Sequence, residues 1–79
     1  MENFLYLTLE QLPPGSRGIV RRLEGGRGLS SRLAALGVVV GSRVEVLENR
    51  GHGPMLVLVR DTRVALGRSE ALKIFVEQS

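Results

Sequence analysis

Along this chain the spacing of apolar positions switches between two and three or four, and each switch marks an element. Val44 and Val46 alternate with Arg43 and Glu45, the period of two of a strand with one buried face, in a segment that opens at Gly41. Met55 to Arg60 is apolar on both faces, with Leu56 and Leu58 opposite Met55, Val57 and Val59, as in a strand covered on both sides. Asp61-Thr62 is a tight connection to a strand over Arg63 to Leu66, and Lys73 to Glu77 forms a closing strand. Arg17 to Glu24 is the first, with Ile19 and Leu23 on one side and Val20 on the other.

Between the first two strands the period lengthens. Leu29, Leu33 and Leu36 recur at spacings of four and three within Gly28 to Gly37, which predicts a short amphipathic helix. Gly37 stands where a left-handed residue ends a helix, and Val38 supplies the apolar contact that accompanies such an ending. Two smaller turns of helix are expected. Thr8 and Gln11 have the spacing of a capping box, and Pro13-Pro14 stops that turn at Leu12. Ser69 is the expected cap of another turn through Ala71 and Leu72. Five short strands and three pieces of helix predict a mainly β chain folded as a small, partly closed barrel. Val44, Val46, Val57, Val59, Val64 and Leu66 fill it, which leaves Leu47, Leu56, Leu58 and Phe75 outside, where the helix leucines are expected to cover them.

Length and composition narrow the classes. With 79 residues the chain is expected to be one domain over residues 1–79, and with no cysteine it has neither disulfides nor thiolate chemistry. No apolar run approaches the roughly 20 residues that cross a bilayer, and Glu2 with no basic residue before the apolar opening does not suit a secretory signal, so a cytoplasmic location is expected. Charge is uneven. Between residues 17 and 32 five arginines, Arg17, Arg21, Arg22, Arg27 and Arg32, stand against Glu24 alone, in a chain whose net charge is +3. Guanidinium groups so gathered suit phosphate or an acidic protein surface.

The candidate chemistry is sparse. His52 is the only histidine, in a glycine-flanked loop near Glu45 and Glu48, so too few ligands are present for a metal site within one chain, and no metal or other cofactor is expected. Glu45 and Glu48, three apart on a strand, are expected on opposite faces, and no acid, base and nucleophile set has a recognisable spacing, so the chain is not expected to be an enzyme. Gly25-Gly26-Arg27-Gly28 before a helix lacks the lysine and spacing of a phosphate-binding loop. Small basic barrels also bind RNA or DNA, and the segment from Arg17 to Arg32 is the candidate surface. Base stacking needs exposed aromatics, however, and Phe4, Tyr6 and Phe75 all lie outside that segment, so nucleic acid is the lesser expectation.

The ordered set of local motifs carries a family resemblance. Leu9-Glu10-Gln11-Leu12-Pro13-Pro14-Gly15-Ser16-Arg17-Gly18, then Gly28-Leu29 with Arg32-Leu33-Ala34-Ala35-Leu36-Gly37, then Gly41-Ser42-Arg43-Val44-Glu45-Val46, resembles the FeoA family. The likeness continues through Gly53-Pro54, Leu56 to Val59, Arg63-Val64-Ala65-Leu66, Ala71 and Ile74, and departs at Val39-Val40-Gly41, where the family often has a proline before the glycine. The resemblance implies an SH3-like barrel. It also implies a small cytosolic accessory of bacterial ferrous iron uptake, partnered with the membrane transporter FeoB, which carries a GTP-binding domain. Similar barrels end iron- and manganese-dependent repressors, and 79 residues leave no room for a DNA-binding domain beside one.

The expected mode of action is that of a protein-interaction module. With its leucines turned inward, the helix offers Arg27, Ser31, Arg32 and Ala35 on its outer side as the partner-binding residues. Arg32→Glu is expected to weaken the complex with little change in thermal midpoint. Apolar outer positions on the strands leave a homodimer open.

Overall fold

Valines at every second position build the interior. The computed structural model describes residues 6–79, so Glu2 and Phe4 lie outside the described residues. Among the described residues six strands form one antiparallel sheet in the order β1-β6-β2-β3-β4-β5. They are β1 Leu7–Thr8, β2 Arg17–Leu23, β3 Arg43–Glu48, β4 Met55–Val59, β5 Thr62–Leu66 and β6 Ile74–Gln78. A 3-10 turn, Leu9–Gln11, follows β1, while α1 spans Gly26–Ala35 and α2 spans Arg68–Ala71. The strand missing from the five-strand expectation is β1. Its two residues pair with Val76 and Phe75 and run straight into the turn, too short a stretch to show a period.

Val44, Val46, Val57, Val59, Val64 and Leu66 are all buried, as their alternation requires, and Val20, Met55, Ile74 and Val76 join them. Leu9 and Leu12 plug the same core from the 3-10 turn. Leu29 and Leu33 of α1 are also part of it, but Leu36, the third helix leucine, is 41% exposed. It caps the helix instead of packing beneath it, because α1 ends at Ala35 and the chain turns at Gly37 with φ +91°. There the Gly37 N–H donates to the Ala34 carbonyl and the Val38 N–H to the Leu33 carbonyl, the paired bonds that close a helix on a left-handed residue, and Val38 is buried as the apolar partner. At its other end α1 begins two residues earlier than expected, at Gly26.

Two bulges let so small a sheet curve around its core. One lies between Val20 and Arg22 on β2, the other between Val46 and Glu48 on β3. The second corrects an expectation. With Leu47 inserted as an extra residue, Glu45 sits opposite Leu58 and Glu48 opposite Leu56, two positions of β4 that share a face, so the two glutamates lie on the same face rather than on opposite ones. Where β2 crosses β6, Gly18 is buried and a Cβ there would stand 2.9 Å from the Glu77 carbonyl oxygen.

Short-range caps complete the frame. The Thr8 N–H donates to Gln11 Oε1 at 2.9 Å, as the capping-box spacing anticipates. Ser69 is not the cap of α2; that position is Gly67, whose N–H donates to Glu70 Oε1 at 2.9 Å, and Leu72 is half exposed beyond it. A tie that no local pattern suggests is made by Asn49. Its Nδ2 donates to the carbonyls of Glu10 and Leu12, and its Oδ1 accepts from the Gly51 N–H and from Arg68 Nη1. The amide is thereby saturated, holding the plug, the β3–β4 loop and α2 together.

Candidate functional site

Burying Leu29 and Leu33 turns the opposite side of α1 to solvent, and Arg27, Ser31, Arg32 and Ala35 are all exposed there. Arg32 is not free on that face. Its Nε lies 3.0 Å from Glu70 Oε2, and the other oxygen of the same carboxylate caps α2, so one acid links the two helices. A glutamate at position 32 would face Glu70, which bears on the thermal midpoint as well as on any partner.

The arginine-rich segment is largely neutralised by the fold. Arg17 approaches Glu45 at 3.8 Å, Arg21 meets Glu77 at 2.7 Å, and Arg22 pairs with Glu24. Arg22 also lies over the Phe75 ring, 5.7 Å from its centre, so one of the three aromatics considered for base stacking already carries a cation on its face. Of the five arginines only Arg27 makes no ion pair among the described residues.

A different cluster of arginines is left without acidic partners. Arg43, Arg60 and Arg63 make no ion pair among the described residues, and Arg60 and Arg43 flank the loop that follows α1. On this loop Val39 is 38% and Val40 60% exposed, next to the exposed Leu36. The loop is fastened, not slack. Ser42 Oγ accepts from the Val39 N–H and donates to the Gly37 carbonyl, while Gly41 N–H and Ser42 carbonyl bond to Val20. Two valines are thus presented to solvent on a rigid turn with guanidinium groups beside them. The apolar groups anticipated outside, Leu47, Leu56, Leu58 and Phe75, are half-buried, and the exposed ones lie at Leu36, Val39, Val40 and Leu72. A positional signal for two of them was present, since Val39-Val40 lies between a helix-ending glycine and a strand and belongs to neither.

His52 lies in a shallow cleft with Glu48, Arg50 and Leu56, separate from this surface. Among the described residues no three His, Cys, Asp or Glu side chains come together. No helix among them is long and apolar enough to cross a membrane.

Comparison with known proteins agrees with this geometry. The FeoA domain family matches residues 7–78. A Methanocaldococcus jannaschii protein that carries a provisional Fe(2+) transport protein A name is 34% identical over 65 residues, 82% of this chain and 78% of its own. The crystal structure of an iron uptake regulatory protein, FeoA, superposes with a TM-score of 0.91 at 29% identity, covering 95% of this chain and all of that one. A zinc complex of FeoA from Stenotrophomonas maltophilia, described as an SH3 domain protein, is 33% identical with a TM-score of 0.73, over 92% of this chain and 95% of the other. The expected SH3-like architecture is therefore met by an open six-stranded sheet with two helices. Matched along almost its whole length in sequence and in fold, the chain belongs to the FeoA family of ferrous iron transport accessory proteins.

Proposed function

We propose that the chain acts in the cytoplasm as a single interaction module, residues 1–79, that docks on the cytoplasmic portion of the transporter FeoB and modulates transport or its GTP cycle. The observation that carries this reading is the outer face of α1. It presents Arg27, Ser31, Arg32 and Ala35 on a helix anchored to the core by Leu29 and Leu33, so the face is rigid and binding there need not order it first. Iron is the transporter's cargo in this reading. Zinc belongs to the Stenotrophomonas relative's crystal, and the described residues of this chain offer no cluster that fits a resident metal. Nor is any catalytic step assigned to it.

The test is a binding titration of the purified protein against the cytoplasmic portion of FeoB, with and without guanine nucleotide and ferrous iron. Saturable binding that depends on one of these supports the reading, and its absence in every condition removes it. Arg27→Glu is the cleaner probe of the face because Arg27 has no ion pair among the described residues to lose. Arg32→Glu is expected both to weaken the complex and to lower the thermal midpoint, through repulsion with Glu70.

A further inference from the structure

The sheet is open at β5. This strand pairs with β4 on one side, and it is the last in the sheet order, so among the described residues the main-chain groups on its other side meet no strand. Along that side runs a groove of about 550 Å³, walled by Ala34, Ala35 and Leu36 of the α1 terminus and by Thr62 to Ala65 of β5. Side chains of a strand alternate between faces, so a cleft lined by four consecutive strand residues follows the strand's edge and not one of its faces. The wall opposite β5 is small and apolar.

The turn between β4 and β5 adds a second observation. Val59 pairs with Thr62, and the two residues between them, Arg60 and Asp61, have φ of +52° and +61°. That is the hairpin turn for which Asn-Gly is the favoured sequence, and an arginine there holds an unfavourable left-handed backbone. The guanidinium-bearing residue so held lines the β5 groove, the Val39–Val40 loop cleft and the cleft beside Ile19 and Leu58. A strained turn whose arginine borders three adjoining depressions is a candidate site rather than a framework position.

We propose that this groove binds an extended acidic segment of a partner protein as a seventh strand on β5, an inference that rests on the docking reading above and places the contact beside the α1 face. The partner's main chain bonds to the outward N–H and C=O groups of β5, one of its apolar side chains rests against Ala34, Ala35 and Leu36, and its carboxylates meet Arg60 and Arg63. Charge decides against a second copy of this chain. Two β5 strands paired antiparallel over Thr62–Leu66 would set Arg60 of each copy opposite Arg68 of the other and the two Arg63 on one face two positions apart, and like charges across a strand pair oppose it.

The experiment is a titration of the isotopically labelled full chain with intact FeoB and with peptides tiling all its cytoplasmic segments, read by amide exchange at β5. The expected result is that one acidic tile binds, protects the outward amides of Thr62–Leu66, and loses about tenfold in affinity with Arg63→Glu, against less than about twofold with Arg50→Glu, a control on the β3–β4 loop that does not line the groove. Arg60→Asn is expected to weaken the same complex while raising the thermal midpoint, a pairing that a merely structural arginine does not produce. If FeoB binds but β5 amides stay unprotected and Arg63→Glu behaves like Arg50→Glu, the groove is overturned and the docking reading stands. If FeoB and every tile fail to bind, both fall. Protection of β5 that grows with protein concentration alone identifies a second copy as the occupant, and protection by an RNA oligonucleotide with a steep salt dependence identifies nucleic acid; either result overturns the proposal.

Discussion

The two edges of the sheet are treated in opposite ways. At one end β1 is only two residues long, and the Gln11 side chain bends it at once into a turn whose carbonyls at Glu10 and Leu12 are held by Asn49. At the other end β5 has five residues and, among the described residues, no strand beyond it and no acidic partner for its two arginines, Arg60 at its turn and Arg63 within it. A short edge leading into a side-chain clamp offers little template to another chain, whereas a longer edge guarded only by positive charge repels its own copies and admits an acidic strand. The same contrast divides the arginines. Those at 17, 21, 22 and 32 are tied to glutamates of the fold, and those at 43, 60 and 63 are not.

The largest difference expected between the two edges is in how firmly each is rooted. Leu66→Ala on β5 empties a fully buried site and is expected to cost about 3 kcal/mol in urea unfolding, while Leu7→Ala on β1, half-buried, costs about 1 kcal/mol or less. Equal costs would mean that the open edge is no better anchored than the closed one. Next is the clamp. Asn49→Ala leaves two carbonyls and Arg68 Nη1 short of a partner and is expected to cost about 2 kcal/mol in the same measurement, with faster amide exchange confined to the Leu9–Leu12 turn. A smaller loss, about 1 kcal/mol, is expected for Gly37→Ala, which forces a side chain into the left-handed turn ahead of the Val39–Val40 loop. Smallest is Arg17→Ala. Its pair with Glu45 is exposed and long, so thermal unfolding should shift by no more than about 0.5 kcal/mol, and a larger effect would show that the paired arginines are structural in a way their geometry does not suggest.

Much of the frame is legible in the residues themselves. Alternation places Val44, Val46, Val57, Val59, Val64 and Leu66 in the core, and the Leu29–Leu33 spacing with Gly37 places α1 and its ending, because these are properties of near neighbours along the chain. What escapes are features made by an inserted residue or a distant partner. The Leu47 bulge reverses the facing of Glu48, the clamp at Asn49 joins residues nearly forty positions apart, and Gly67 with Glu70 replaces Ser69 as the cap. The four residues expected to meet a partner are exposed as their helix spacing requires, yet nothing local shows that Arg32 is already held by Glu70.

Periodicity, glycines and the order of short motifs decide the strands, the helix, the core and the family, since each depends on interactions within a few residues or on patterns that pair with any complementary strand. Which arginines remain available, which valines stay in water and which strand ends the sheet depend on what lies across the fold. Burial, ion pairing and strand order are relations between remote segments, and only the folded chain brings those segments within reach of one another.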